Sequence, residues 1–226
     1  MVLVDGLGYD IKQVPRPPEY KSSGPILSFF QNMGLVILFS LIVFVFVNFP
    51  AYFLISKYKV KPSSVSYELA QNKSVQGNDA IGQPNQYPDN TLFIPKIGVK
   101  ATVSWNVNQD NILDILPNSL VHINGSGKPQ ENKNIFITGH SSNYWWKEGN
   151  YNTVFSLFPQ LKEGDEIILT YQGKFNYYKV RELRELKKSE VSKYTESDKE
   201  QLTLMTCVPV GTNLHRLLVF ADPVKK

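Results

Sequence analysis

Between Gly34 and Ile55 the chain runs for 22 residues, GLVILFSLIVFVFVNFPAYFLI, without a charged side chain. At about 1.5 Å per helical residue such a run covers the roughly 30 Å of a bilayer's hydrocarbon core, and a helix apolar on every side has no solvent-facing stripe. One spanning helix over 34–55 is predicted, with Asn48 and Pro50 near an interface that also suits Tyr52. The 33 residues before it do not have the layout of a cleaved signal peptide, so the segment reads as an uncleaved anchor after an N-terminal segment, 1–33, assigned to the cytoplasm.

Charge narrows the range of partners. Of 24 basic and 20 acidic residues, six and three lie in 1–61, which leaves 18 against 17 for the remainder. A near-neutral globular part argues against nucleic acid as a partner. Lys57, Lys59 and Lys61 follow the helix, while Lys12, Arg16 and Lys21 precede it beside three acids; by that bias alone the C-terminal part belongs inside. The single cysteine, Cys207, excludes an intrachain disulfide framework and multi-thiolate zinc sites. A lone thiol is either a small buried hydrophobe or a reactive group.

Residues 56–90 read as a stalk, because from Pro62 on they are rich in Ser, Asn, Gln, Pro and Gly without periodicity. A folded domain, 91–226, follows. Runs of β-branched and aromatic residues over 91–95, 99–104, 119–123, 134–138, 166–171, 175–183, 202–207 and 216–221 predict eight strands. Turn signals at Asn124-Gly125, Gly164 and Gln172-Gly173 separate them. The pattern implies an all-β closed barrel with short helices at 111–116 and 153–161, preceded by the transmembrane helix. Arg216–Ala221 is apolar on both faces and is expected in the centre of the sheet.

A cysteine nucleophile needs a proton carrier and a group that stabilises charge on a carbonyl oxygen. Cys207 ends one predicted strand and Arg216 opens the next, nine residues on, across a loop with Pro209 and Gly211. Antiparallel pairing brings both to one end of the sheet. His140 lies just past the strand that ends at Thr138, where Gly139 permits a sharp exit.

The segments Thr203-Leu-Met-Thr-Cys207, Thr138-Gly-His-Ser141 and the downstream Arg216 resemble the signature of the sortase family. The likeness extends to Phe93-Ile-Pro-Lys-Ile97, Gly164-Asp-Glu-Ile-Ile168 and Gly173-Lys-Phe-Asn-Tyr177, covering about residues 91–222. It implies an eight-stranded sortase-like barrel in which Cys207, His140 and Arg216 are catalytic. It also implies secreted substrates with a C-terminal LPxTG-like sorting signal, and an amine acceptor from a cell-wall precursor or a lysine. The domain would then lie outside a bacterial cytoplasmic membrane, held by lipid contact through the helix, against the weak charge bias. The loop from Cys207 to Arg216 looks closest to class C and D sortases. No Asp-Pro-aromatic lid is found in 62–90 and no second apolar helix precedes Lys226, which sets the chain apart from pilus-building members. An L,D-transpeptidase or cell-wall hydrolase, and a non-enzymatic membrane-anchored binding domain, are the rival readings.

Other residues carry weaker signals. His122 also resembles a recurrent sortase position and is assigned a substrate-pocket or structural role, and Thr206 a place in substrate binding through its backbone. His215 should point to the sheet face opposite Arg216. Gly125-Ser-Gly-Lys-Pro129 lacks the Ser/Thr and spacing of a phosphate loop and reads as a turn. Tyr144, Trp145, Trp146 and Tyr151 line a substrate groove or pack the loop, and packing is favoured. No cofactor is expected; Glu163, Asp165 and Glu166 could bind calcium, as in some sortases, but a solvated turn is favoured.

Overall fold

The computed structural model describes residues 24–58, 88–144, 146–195 and 197–224. Most of the predicted cytoplasmic segment and of the stalk therefore lies outside the described residues, as does Trp145. The chain divides into two units, 1–44 and 45–226.

The first unit holds most of helix α1, Pro25–Val47; helix α2, Phe49–Tyr58, belongs to the second. Within α1, Ser28–Val47 is long and apolar enough to cross a membrane, and its one hydroxyl in mid-span is satisfied internally, Ser40 Oγ donating to the Val36 carbonyl at 2.8 Å. The helix thus begins well before the predicted start at Gly34 and stops short of Ile55. Pro50 causes the break: without an N–H it cannot bond the carbonyl four residues back, and it is tolerated only in the first turn of a new helix. The Asn48 carbonyl opens that turn by accepting the N–H groups of Ala51 and Tyr52.

The second unit contains a closed eight-stranded barrel. Its strands are β1 (Thr91–Ile94), β2 (Val99–Val107), β3 (Leu120–Ile123), β4 (Asn134–Thr138), β5 (Glu166–Tyr171), β6 (Lys174–Lys187), β7 (Gln201–Val208) and β8 (His215–Pro223). Around the wall they run β1-β2-β3-β4-β7-β8-β6-β5, closed by β1 against β5. Pairings β2·β3 and β4·β7 are parallel and the rest antiparallel. In β2, Val99, Ala101 and Val103 turn inward while Lys100 and Thr102 face solvent, the period of two expected of a wall wet on one side. Side chains from every strand fill the interior, as an eight-stranded barrel requires.

β8 is covered on both faces, as its sequence predicts. Leu217, Val219 and Ala221 enter the barrel core. Leu218 and Phe220 join Phe136 in an outer cluster capped by Val191 and Tyr194, from a 3₁₀ turn at Lys188–Glu190 and a short helix at Ser192–Thr195. The Arg181 and Arg184 guanidiniums lie 5.8 and 5.5 Å from the Phe220 ring centre. β6 outruns its predicted end at Leu183 because Arg184–Lys187 is a charged stretch that pairs with β8 on a half-exposed wall.

Of the two predicted helices, the first is one turn, Ile112–Ile115. The second, 153–161, is a series of turns with a 3₁₀ segment at Phe158–Gln160. Pro159 denies it a continuous helical ladder, yet its apolar spacing still packs the barrel end, with Phe155 stacked on Phe158 at 3.9 Å and both fully buried. The Phe155 N–H also donates to the His140 carbonyl at 2.9 Å. Phe155→Ala should cost about 3–5 kcal/mol and lower the thermal midpoint of the detergent-solubilised chain by roughly 10 °C, as read by differential scanning fluorimetry.

Candidate active site

Strand β7 lies between β4 and β8, and this order assembles the site. Leu202, Leu204 and Val208 point into the core, so alternation puts Cys207 on the outer face. On one flank Cys207 sits directly opposite Arg216 of β8, whose neighbours Leu217 and Val219 take the inward positions. On the other flank β4 runs parallel to β7 with Thr138 beside Met205. The ladder continues for another residue, with Gly139 N–H donating to the Met205 carbonyl at 3.1 Å and Thr206 Oγ1 donating to the Gly139 carbonyl at 2.8 Å. Continuing that register carries His140 to the level of Cys207. Cys207 and Arg216 are thus cross-strand partners, and the backbone of His140 follows the β4 end of the same three-strand segment, with the thiol's strand in the middle.

Gly139 makes this approach possible. A Cβ there would fall 2.7 Å from both the Leu120 Cδ2 and the Phe155 ring, a clash with fully buried core atoms. Across the loop between β7 and β8, Gly211 adopts a φ of 88° and its N–H donates to Ser142 Oγ at 2.9 Å. Thr212 N–H and Oγ1 both donate to the Pro209 carbonyl. The Cys–Arg loop and the His loop are therefore tied together.

Burial sets the protonation states. It pushes the Cys207 thiol up, opposed by the positive charges of Arg216 and then Lys188, and it pushes the His140 imidazole down. Both shifts favour the neutral pair, so thiolate with imidazolium is a minor form at neutral pH. Arg216 is itself 9% exposed, and its Nη1 donates to the His215 carbonyl at 3.1 Å. A guanidinium presents its N–H donors in a fixed planar fork.

The other predicted residues separate into groups. Thr206 is buried with its hydroxyl committed to Gly139, so any contact of this residue with substrate falls to its backbone. His122 is fully buried: Nδ1 accepts the Asn106 N–H at 3.3 Å, Nε2 lies 2.8 Å from the Gly127 carbonyl, and the ring packs on Trp105 at 4.7 Å. Those partners fix the neutral tautomer with the proton on Nε2, which suits the structural half of its assignment. His215 pairs with Glu185 at 2.5 Å, in register with inward-facing Val208 rather than with Cys207. Residues 125–129 form part of the turn between β3 and β4. Asp165 binds Lys96 Nζ at 2.8 Å and accepts the Lys162 N–H, so its carboxylate is already engaged. Tyr151 packs against the core as favoured and accepts the Thr102 N–H at 3.0 Å. Tyr144 and Trp146 do not pack inward; they stack on one another at 4.7 Å while exposed.

Two residues near Cys207 gave no signal in the sequence. The thiol points to Asn213 Oδ1 at 3.9 Å, and Lys188 adds positive charge from the 3₁₀ turn that follows β6. Only the loop's return and the β6·β8 register bring them close. Since Arg216 holds the thiol down against burial, Arg216→Ala should move the pH midpoint of Cys207 alkylation by iodoacetamide upward and slow the reaction at pH 7.

Comparison with known proteins agrees with this fold. A family model described as Sortase domain matches residues 92–224. Among solved structures, the chain is similar to sortase A from Corynebacterium diphtheriae, at 26% identity and a TM-score of 0.51 over 72% of this chain and 84% of that one. It is similar in fold to sortase C1 from Streptococcus agalactiae, at 22% identity and 0.51 over 72% and 86%. A Clostridium perfringens sortase D5 transpeptidase aligns at 24% identity and 0.50, over 72% and 100%. No curated protein sequence matched.

Proposed function

The chain belongs to the sortase family, and from that premise we propose that it is a membrane-anchored cysteine transpeptidase. In this reading it cleaves an LPxTG-like sorting signal of a secreted protein between Thr and Gly, outside the cytoplasmic membrane, and passes the acyl group to an amine. The observation that supports it is the cross-strand pairing of Cys207 with Arg216, together with the parallel β4·β7 ladder, whose last pair, Thr138 with Met205, lies two residues before His140 and Cys207.

In the first half-reaction the Cys207 sulfur attacks the Thr carbonyl carbon and a C–S bond forms. Arg216 donates to the oxygen as it gains charge. The proton from the thiol is carried by the His140 imidazole to the Gly nitrogen as the C–N bond breaks, leaving a thioester and a free amine. In the second half an amine nitrogen attacks the thioester carbon, its surplus proton passes to His140, and the C–S bond breaks to restore Cys207. The acceptor is a cell-wall precursor or a lysine side chain. Because burial favours the neutral pair, only a small fraction of free enzyme holds the reactive thiolate, and turnover is expected to be slow.

Full chain in detergent, mixed with an LPxTG peptide and an amine acceptor, should show the acyl mass on Cys207 before the transpeptidated product. Cys207→Ala should abolish both. Arg216→Ala and His140→Ala should each lower kcat by roughly 10²–10⁴-fold, from loss of oxyanion and proton-transfer assistance. A Cys207 that never acylates would instead favour a binding domain built on the same barrel.

A further inference from the structure

The rim that carries the site also carries most of the large apolar side chains the barrel leaves in solvent. Tyr144 and Trp146, four and six residues past His140, are 52% and 54% exposed and stacked nearly parallel at 11°. Leu214, in the loop between Cys207 and Arg216, is 67% exposed. Scattered exposed apolar residues need no explanation, but these occupy two loops joined by the Gly211–Ser142 hydrogen bond.

The same loop meets the segment that leaves the apolar helix. Asn48, the residue after α1, is buried against Gly211, where a Cβ would fall 2.5 Å from Asn48 Oδ1. Ala51, one turn on, is also buried. With that face of α2 covered, Phe49, Tyr52 and Phe53 point outward, Phe49 and Phe53 stacked at 5.7 Å. Trp, Tyr and Phe beside the end of a spanning helix are the side chains that settle at headgroup level, where an apolar ring and a polar edge are both satisfied.

We propose that the active-site end of the barrel rests on the bilayer, with the Tyr144–Trp146 pair and Leu214 seated in the headgroup layer beside the outer face of α2. The occupant of this surface is lipid, argued from its continuity with the segment that leaves α1. The inference rests on the reading of α1 as a membrane span and not on the transpeptidation chemistry. Its consequence is that the thiol works at the membrane surface.

The test uses the full chain in a Cys207→Ser background, reconstituted in phosphatidylcholine–phosphatidylglycerol vesicles. Single cysteines, Tyr144→Cys, Leu214→Cys, Lys133→Cys and Leu38→Cys, carry an NBD label, and lipids with a shallow or deep doxyl group quench it. Lys133 is exposed just before β4, at the end of that strand away from His140. Labels at 144 and 214 should be blue-shifted and quenched most by the shallow lipid, the label at 133 should be unaffected, and the label at 38 should be quenched by the deep lipid. Labels at 144 and 214 that behave like the one at 133, with 38 still quenched, overturn the proposal while leaving the anchor intact. An unquenched label at 38 overturns the anchor itself and the proposal with it. Positions 144 and 214 lie on separate loops, so distortion of one by its label leaves the other to decide.

Discussion

The parallel contact of β4 with β7 is the constraint on which the site depends. Cys207 and Arg216 are neighbours through a single loop, and any antiparallel return would pair them. His140 is 67 residues away from Cys207 in sequence and reaches the same rim only because β4 lies beside β7, with Thr138 next to Met205. The hydrogen bond from Thr206 to the Gly139 carbonyl has a modest net worth, about 1 kcal/mol. Its importance is geometric, since it extends the ladder past the end of β4 to the residue before the imidazole. Leu120 and Phe155 press on Gly139 from the core side, so the packed interior of the barrel fixes where the His loop leaves the sheet.

The same placement explains the electrostatics. A site built on the wall of a closed barrel is flanked by apolar strands, and the resulting desolvation opposes charge on sulfur and imidazole alike. Arg216 counters this for the sulfur only. Its positive charge lies across from the sulfur in a poorly hydrated place. In the proposed transpeptidation, such an arrangement favours stabilising an anion that appears during reaction over storing a thiolate beforehand.

Much of this was legible in the sequence, for reasons that differ by element. All eight strands show as apolar runs between turn residues, and β4 and β5 match their predicted limits because both are short, buried and sharply bounded. β6 was cut short because its charged second half pairs with β8 on a half-exposed wall, where the pattern of apolar residues fades. The strand order, and with it the parallel β4·β7 pair, has no local signature at all. Cys207, His140 and Arg216 could be singled out by their motifs. Asn213 and Lys188 could not, because their relation to the thiol is created by a loop's return and by register across β8. The break at Asn48 was visible as a weakness in the apolar run, but its cause, Pro50 restarting a helix, fixes the boundary nearer the N-terminus than hydropathy alone suggests.

Gly211 shows why the barrel by itself is an incomplete description of the site. Its positive φ turns the loop between Cys207 and Arg216, its N–H engages Ser142 beside His140, and its bare α-carbon is where Asn48 rests. Residues 92–224 match the family, yet Asn48 and Ala51 lie outside that span and are buried all the same. A side chain at 211 would have to displace Asn48, and movement of the segment entering α2 would reach the Cys–Arg loop through the same contact. The surroundings of Cys207 are thus set from two directions: by the packed core through Gly139, and by the segment that follows the apolar helix through Gly211.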